Sequence, residues 1–498
     1  MGREELMINE RKRKIEELRK VGINPYPTKY ERTHNTEEIR KNNEKLKNEE
    51  KTKTKVKTAG RVITIRDIGR IAFAELSDEK GKIQIVLQEG ETPEKIRELF
   101  KKYIDVGDFI GVEGIVMKTK RGELSILVKE LKLLTKAILP LPEKWHGLKN
   151  EEERYRKRYL DIAINQELKE MIIRRSKFWQ TMRNFLISKG FLEVETPVLE
   201  TTPGGAEAKP FITHHNALNT DMYLRISPEL WLKKLMVAGM EKVFEIGRIF
   251  RNEGMDAEHL QDYTQMEFYW AYADYNDGMK LVEEMYKHIA REVFGRLKFE
   301  IKGMTVDFSK EWETYDYVNT IKRMTEIDVM KADIKIIEKK LKELGVKYDK
   351  KGFNINRAVD NLWKYCRKKI AGPGFLVNVP VMMEPLAKRM EKNLELVERY
   401  QVILAGSELG KGFSELNDPE DQLGRFEEQA KLREGGDEEA QMKDDSFVEA
   451  LSYGMPPTTG FGISERLLSF LEDKPIRETA IFPLMKPEGK KDDKKKIK

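Results

Sequence analysis

The stretch from Val243 to Trp270, VFEIGRIFRNEGMDAEHLQDYTQMEFYW, constrains the fold more than any other part of the chain. It reads as two strands that flank a polar loop at 254–262. Because the side chains of a strand alternate between its two faces, each strand presents a defined polar set. On the first strand, one face carries Glu245, Gly247, Ile249, Arg251 and Glu253. On the second strand, one face carries Tyr263, Gln265, Glu267 and Tyr269.

If these two faces coincide, an arginine, three carboxylates and two phenols meet on one surface, with His259 in the loop above it. Such a surface makes a poor core, and it suits a small zwitterion bound together with a polyphosphate. The alternative is an amphipathic hairpin whose polar face is merely solvated. Large aromatic side chains among the charges favour the binding site.

Length and composition bound the class of protein. The 498 residues suggest roughly three domains. The single cysteine, Cys366, excludes an internal disulfide framework and a multi-cysteine metal cluster. No apolar run reaches the length of a membrane span, and the N-terminus lacks the apolar core of a signal peptide. We therefore expect a cytoplasmic protein with no membrane partner.

Basic residues concentrate at the two ends of the chain. Residues 1–57 hold 17 Lys and Arg against 11 Asp and Glu, and residues 486–498 hold 7 against 3. The total charge is +6, so residues 58–485 carry a net charge of −4. This distribution fits a protein that meets a polyanion along one side. Solvated tails explain the charge alone equally well.

Residues 58–134 read as short strands joined by the turns DEKG and TKRG. Five such strands with a helix inserted near Pro93–Tyr103 predict a small OB barrel. Phe73 and Gln84 on neighbouring strands, with Arg66 nearby, offer one stacking ring and two hydrogen-bonding groups. Recognition of a splayed nucleotide base requires that combination. From the pattern alone, Phe73 is interpreted as a core residue.

The rest of the chain alternates between helices and strands. Residues 1–22 and 169–195 predict helices, and Pro197 after the second marks an edge or a bend. Residues 36–57 predict a solvated connection or a weak helix. Residues 325–365 predict an ordinary insertion packed on the sheet.

Polar residues recur near the ends of these elements. Glu229 follows Pro228 and opens a helix. It is a candidate binding residue, and the alternative is a carboxylate that only stabilises the first turn of the helix. Lys411, Phe413 and Glu415 share a strand face beyond Glu408. The string GFG leads a strand into a helix with Arg466 at the junction, and by itself this glycine pattern is weak evidence.

Several of these passages together resemble one family. FRNEG with its aromatic-acid-aromatic strand resembles motif 2 of the class II aminoacyl-tRNA synthetases, the helix and strand before and after Pro197 resemble motif 1, and YGMPPTTGFGISERLLSFL resembles motif 3. RKRKIEELRKVGINPYP resembles the basic N-terminal helix of bacterial-type lysyl-tRNA synthetases. The resemblance covers nearly all of residues 3–485.

The resemblance implies an α+β fold, in which an N-terminal OB-fold β-barrel precedes a class II synthetase catalytic domain, an antiparallel sheet flanked by helices. It implies the partners tRNA(Lys), ATP and L-lysine, the cofactor Mg²⁺, and a homodimer formed through motif 1. The implied divisions are a basic helix and connection at 1–57, an anticodon-binding barrel at 58–134, a linker at 135–160, a catalytic domain at 161–485 and a disordered basic tail at 486–498.

The resemblance also implies residue roles in lysine activation. Arg251 takes the ATP α-phosphate and the substrate carboxylate, and Arg466 takes the γ-phosphate, which makes these two the catalytic residues. The nucleotide and its magnesium ion are implied to contact Glu253, His259, Tyr263 and Glu408, with Glu408 as the metal ligand. The implied lysine-binding residues are Gly205, Glu229, Glu267, Tyr269, Lys411, Phe413 and Glu415. The implied anticodon-binding residues are Arg66, Phe73 and Gln84.

Two departures from the family pattern concern the site. Lys411 stands where asparagine is common, and Gln401 stands where a second metal-binding glutamate is usual. We expect the Lys411 ammonium to point at the substrate carboxylate. The alternatives are that the ammonium forms an ion pair with the Glu415 carboxylate or that it points into solvent.

Three other functions fit parts of the sequence. Aspartyl- and asparaginyl-tRNA synthetases share the barrel and the motifs, but three glutamates near the site disfavour an acidic substrate. A paralogue that lysylates a protein is expected to lack the barrel. A non-enzymatic tRNA-binding protein would tolerate the loss of Arg251 or Arg466, and both are present.

Overall fold

The computed structural model describes residues 2–142, 150–254, 259–350, 353–436 and 440–487. Nearly all of the predicted basic tail, the middle of the predicted linker and part of the motif 2 loop lie outside the described residues. The chain divides into two compact units, Met1–Lys169 and Glu170–Lys498, and each is considered by itself. No helix among the described residues has both the length and the apolar character needed to cross a membrane.

The first unit contains a closed five-stranded barrel, as the sequence predicts. Its strands pair in the order β1-β2-β3-β5-β4. Their bounds are β1 (Lys51–Asp67), β2 (Ile71–Ser77), β3 (Lys82–Gln88), β4 (Phe109–Lys118) and β5 (Leu124–Thr135). The strands alternate in burial because one face of each fills the barrel interior, where Val62, Ile85 and Ile110 are fully buried.

Five helices are described in this unit: α1 (Arg3–Lys20), α2 (Thr36–Asn42), α3 (Glu94–Tyr103), α4 (Glu151–Arg156) and α5 (Arg158–Ile164). α1 and the inserted α3 confirm the predicted helices. The buried Arg11 of α1 donates hydrogen bonds to the carbonyl oxygens of Val106, Ala137 and Leu139. This basic helix is therefore anchored on the barrel through one of its own arginines.

Residues 36–57 were predicted to be a solvated connection or a weak helix; the short helix α2 at the start fits the second alternative, and the strand at the end was not predicted. Asn35 and Glu38 form a reciprocal capping box that starts α2. Strand β1 begins at Lys51, before the expected start of the barrel at residue 58, because Val56 is buried and the neighbouring residues pair with β4. Lysine-rich composition concealed this strand, since its exposed face carries most of the lysines.

The second unit is built on many strands and on the helices that cover them. Its strands are β6 (Leu192–Glu193), β7 (Leu199–Glu200), β8 (Ile212–His215), β9 (Thr220–Leu224), β10 (Lys242–Phe250), β11 (Asp262–Ala271), β12 (Lys298–Ile301), β13 (Met304–Asp307), β14 (Glu313–Asp316), β15 (Gly374–Val377), β16 (Val379–Pro380), β17 (Arg389–Met390), β18 (Asn393–Val397), β19 (Arg399–Leu404), β20 (Ser407–Ser414) and β21 (Thr458–Ser464). Its helices, with α6 starting just before the boundary, are α6 (Gln166–Ser188), α7 (Glu229–Val237), α8 (Tyr275–Phe294), α9 (Tyr317–Thr325), α10 (Ile334–Glu343), α11 (Ile355–Arg367), α12 (Pro419–Glu434), α13 (Asp445–Ser452), α14 (Arg466–Leu471) and α15 (Ile476–Thr479), with a 3₁₀ turn at Val381–Met383.

An eight-stranded sheet organises this unit, with strand order β14-β15-β19-β20-β21-β11-β10-β6. Its central pairs are antiparallel, and the pairs at its two edges are parallel. The predicted antiparallel sheet flanked by helices is confirmed, and the parallel edges are an addition to it. The sheet has a core on each side, because its strands are apolar on more than one face.

The first core lies between the sheet, α6 and α8. Four apolar residues of α6 recur at helical spacing and are all buried there, namely Phe178, Met182, Phe185 and Leu186. They join Phe244, Phe268 and Phe461 from the sheet. The helix ends at Ser188, short of residue 195, because Gly190, which the sequence places at its C-cap, adopts a left-handed conformation at φ +83°.

The second core contains α9, α10 and α11, which cover the predicted insertion. Leu341, Trp363 and the single cysteine, Cys366, are almost completely buried there. Burial raises the pKa of the Cys366 thiol to about 11. The insertion packs on the sheet as predicted.

Candidate active site

The motif 2 hairpin has the register that the predicted site requires. Glu245 lies opposite Glu267, Gly247 opposite Gln265, and Ile249 opposite Tyr263. Cross-strand partners share a face, so the two polar sets coincide. The alternate residues of both strands, including Phe244 and Phe268, are buried in the first core.

A cavity of about 460 Å³ opens over this face of the sheet. Most of the predicted nucleotide and lysine contacts line it: Gly205, Glu229, Arg251, Tyr263, Glu267, Tyr269, Glu408, Lys411, Phe413 and Glu415. Glu253, His259 and Arg466 are not part of its lining. Arg466 is nevertheless close, since it opens α14 at the end of β21 and its Nη1 donates to the Glu408 carbonyl oxygen at 3.4 Å.

Three carboxylates are buried together in one part of the cavity. Glu229, Glu267 and Glu415 are 7%, 4% and 1% exposed. Ser227 Oγ donates to Glu267 Oε1 at 2.7 Å, and the Tyr269 hydroxyl donates to Oε2 at 3.0 Å. Burial, and next the negative charge of Glu229, raise the pKa of Glu267 to about 7. Burial also raises the pKa of Glu415 well above its ordinary value.

A buried ammonium group, that of Lys233, lies between two of these carboxylates. Its Nζ is 2.6 Å from Glu229 Oε1 and also forms an ion pair with Glu415 Oε2. Burial acts to lower the pKa of Lys233, but the two carboxylates prevail and hold it above the ordinary value. Lys233 was not among the residues predicted from the sequence, although it follows Glu229 by four residues on a helix, which is the spacing of side-chain pairs.

Glycines let the cavity floor come close to these groups. A side chain at Gly460 of β21 would place its Cβ 2.3 Å from Glu415 Oε1 and 2.5 Å from the Tyr269 ring. Gly205 has φ +81°, and a Cβ there would lie 2.8 Å from that of Glu229. The cavity therefore requires glycine at position 460, the first residue of the GFG string. The glycine pattern in the sequence did not by itself establish this requirement.

Arg251 lies on the cavity wall beside Tyr263. Its guanidinium is 5.6 Å from the centre of the tyrosine ring, and its Nη2 donates to the Ile226 carbonyl oxygen at 3.4 Å. Its Nε is buried and has no hydrogen-bond partner among the residues that the structure describes. Burial raises the pKa of Tyr263 to about 12. The arginine thus keeps hydrogen-bonding capacity for an anionic ligand.

Glu408 is held by a tryptophan from the insertion. Trp363 Nε1 donates to Glu408 Oε1 at 2.5 Å, and Arg367 Nε lies 3.8 Å from the same oxygen. Burial acts to raise the pKa of Glu408, but the guanidiniums of Arg367 and Arg399 lower it below its ordinary value. The insertion thus supplies cavity residues, a role that the sequence did not indicate because Trp363 and Glu408 are far apart in the chain.

Lys411 contacts a carboxylate that the sequence analysis did not consider. Its Nζ is 3.2 Å from Glu384 Oε2, whose other oxygen is 2.9 Å from Arg399 Nη1. Arg399 also donates to Gln401 Oε1. The ammonium is therefore not on Glu415, and its side chain remains 46% exposed at the cavity.

The described residues contain no cluster of three or more histidine, cysteine, aspartate or glutamate side chains arranged to hold a metal. Mg²⁺ is usually held by one or two carboxylates together with substrate phosphates and water. The ionised Glu408 carboxylate, with one oxygen outside its tryptophan hydrogen bond, fits that arrangement.

The barrel presents the three predicted base-reading residues on its own surface. Arg66 lies opposite Phe73 in the register of β1 and β2, with its guanidinium 4.9 Å from the ring centre. Phe73 is half-buried and does not belong to the barrel core. Gln84 donates from Nε2 to Ser125 Oγ at 2.8 Å. Phe73 therefore lies outside the core, where the stacking role places it.

Comparison with known proteins agrees with both units. The family described as tRNA synthetases class II (D, K and N) matches residues 150–486, and an OB-fold nucleic acid binding domain matches residues 56–134. The lysine–tRNA ligase of Thermotoga maritima is 44% identical over 483 residues, which are 96% of this chain and 95% of that protein.

Two further relatives are equally similar. The lysine–tRNA ligase of Fervidobacterium nodosum is 45% identical and covers 96% of this chain and 93% of its own length. That of Carboxydothermus hydrogenoformans is 43% identical and covers 97% and 98%. The matched domains and this identity over almost the whole length place the chain in the class II tRNA synthetases of the D, K and N group.

Proposed function

We propose that the chain is a lysine–tRNA ligase, which joins L-lysine to ATP as lysyl-adenylate and then transfers the lysyl group to the 3′ end of tRNA(Lys). The observation that carries the proposal is the set of three buried carboxylates that lines one cavity together with Arg251. Such a set selects a substrate with two ammonium groups and one carboxylate. The names of the similar proteins support the same activity. We place this activity in the cytoplasm.

The two amino groups of lysine are assigned to different carboxylates. Glu229 and Glu267, with the Gly205 backbone, receive the α-ammonium. Glu415 and the Tyr269 hydroxyl receive the ε-ammonium, and the ring of Phe413 lies along the methylene stem. A site that pairs each ammonium group of the substrate with a buried carboxylate rejects analogues that lack one ammonium group, because a carboxylate would remain unpaired.

Adenylate formation needs no nucleophile from the enzyme, because the substrate carboxylate attacks the α-phosphorus and pyrophosphate leaves. Catalysis is then a matter of alignment and of neutralising charge. Arg251 grips the α-phosphate and the substrate carboxylate, and Arg466 grips the γ-phosphate. Glu253, His259 and Tyr263 are assigned to the nucleotide.

Mg²⁺ fits at Glu408, where it would neutralise phosphate charge. Lys411 is assigned to the substrate carboxylate, which would compete with Glu384 for the ammonium group. The cationic neighbours Arg399 and Lys411 suit an anionic ligand on this wall.

We infer a homodimer from the apolar surface of the second unit. Several of its large apolar side chains are exposed around α6 and the short strands that follow, including Ile187, Leu192, Leu199, Ile212 and Leu218. Large apolar side chains that stay exposed on neighbouring elements of a folded chain are typical of a protein–protein interface. Sedimentation should give a mass of twice 58.3 kDa. A fully active monomer at the assay concentration would contradict the inference.

The barrel is assigned to anticodon reading. Phe73→Ala removes the stacking ring, which is worth about 1–3 kcal/mol per base. We expect weaker charging of tRNA(Lys) and nearly unchanged lysine-dependent ATP–pyrophosphate exchange. Phe109→Ala is the matched control, because Phe109 also lies on the barrel surface with an arginine, Arg61, over its ring. Loss of both reactions in Phe73→Ala would assign Phe73 to structural support.

The activity itself is tested by ATP–pyrophosphate exchange with lysine, aspartate and asparagine in separate reactions. Only lysine should support exchange. Glu415→Gln removes a charged hydrogen bond worth about 1.5–3 kcal/mol, so kcat/KM for lysine should fall roughly ten- to a hundredfold. Glu395→Gln, at an exposed position of the same unit, should have no effect. Exchange with aspartate or asparagine in place of lysine would refute the proposal.

The raised pKa of Glu267, about 7, predicts the pH dependence of lysine binding. A cationic substrate requires the ionised carboxylate, so below pH 7 the bound proton must first leave. KM for lysine should therefore rise as pH falls from 8 to about 5.5, by up to about tenfold per unit well below the pKa. The raised pKa of Glu415 acts in the same direction. A flat profile would show that Glu267 is ionised throughout.

A further inference from the structure

Lys233 lies between two carboxylates that the proposed function assigns to opposite ends of the substrate. It is completely buried on α7, one helical turn after Glu229. One ammonium group contacts Oε1 of Glu229 and Oε2 of Glu415. The sequence resemblance assigns no role to this lysine.

The surroundings of Lys233 hold its ammonium in place. The rings of Phe413 and Phe447 lie 5.1 and 5.9 Å from Nζ. A buried ammonium is strongly destabilised when its partners are removed. Rotation of either carboxylate away from Lys233 would therefore lower the stability of the folded protein. Lys233 therefore restricts the orientation of both carboxylates.

The two oxygens of Glu415 have different neighbours as a result. Oε2 is paired with Lys233. Oε1 lies at the cavity floor, close enough to Gly460 that a Cβ there would be 2.3 Å away. Gly460 and the Tyr269 ring border this oxygen, and both line the cavity. One oxygen is thus held, and the other faces the space for the substrate.

We propose that Lys233 is a positioning and specificity residue, which holds Glu415 and Glu229 so that their remaining oxygens receive the two ammonium groups of the substrate lysine. The proposal rests on the proposed function. The role of Lys233 also fits the charge of this cluster. When all groups are ionised, the three carboxylates and the ammonium of Lys233 together carry two net negative charges. A substrate lysine carries two ammonium groups, so the balance matches it.

Lys233→Met tests the proposal, with Lys234→Met as the matched control. Lys234 is next on the same helix, and its Nζ donates to Ser446 Oγ, away from the carboxylates. We expect KM for lysine in ATP–pyrophosphate exchange to rise at least about tenfold in Lys233→Met, and the preference for lysine over norleucine to fall by a similar factor. KM for ATP at saturating lysine, and both constants in Lys234→Met, should stay within about twofold.

A double-mutant cycle with Glu415→Gln separates positioning from simple support of the fold. Because Lys233 acts partly through Glu415, adding Lys233→Met to Glu415→Gln should raise KM for lysine by clearly less than Lys233→Met does alone, since only the contact with Glu229 remains to be lost. The double variant also removes both charges of this pair, so it provides the decisive comparison if Lys233→Met alone does not fold.

Independent, additive losses in the cycle would overturn the proposal. So would equal increases of KM for lysine and ATP in Lys233→Met, or no change in either. If the unaltered protein gives no lysine-dependent exchange, the proposed function fails and this inference fails with it. If it gives exchange while the cycle is additive, only the role of Lys233 is refuted.

Discussion

The pairing of β10 with β11 determines the rest of the catalytic unit. Glu245, Gly247 and Ile249 lie opposite Glu267, Gln265 and Tyr263, and the intervening residues face the core. A slip of one residue would exchange the two faces of a strand, which would bury charges among phenylalanines and expose those rings in the cavity. One register therefore satisfies both the core and the site, and both sets of residues specify it.

The buried charges show how the site differs from a structural core. Arg225 and Glu245 form a pair at 2.6 Å, in which each charge has its partner. The nearby carboxylates outnumber the ammonium of Lys233. Burial first, and then the negative charges of neighbouring carboxylates, raise the pKa values of Glu267 and Glu415. Uncompensated charge is unfavourable in a folded protein and favourable for a ligand that supplies the missing charge. The folded state without substrate is therefore less stable than its packing alone would allow.

Local patterns in the sequence predicted the barrel, the hairpin faces and the helix that carries Phe178, because each depends on a short period of apolar residues. The start of β1 was missed because lysines on its exposed face masked the alternation. Contacts between distant segments were also missed, such as Trp363 with Glu408 and Lys411 with Glu384. These depend on how the insertion and the strands pack, and no local spacing encodes them. The residue roles at the cavity stay predictions.

Cys366 has a practical consequence for spectroscopy. It is the only thiol in the sequence, it is buried in the second core, and its pKa is raised to about 11. At neutral pH roughly one molecule in ten thousand carries the reactive thiolate at such a pKa, and the surrounding core blocks access. A cysteine introduced on the barrel surface would therefore take up a maleimide dye selectively, and fluorescence from that dye would report tRNA docking in a protein that keeps its native thiol.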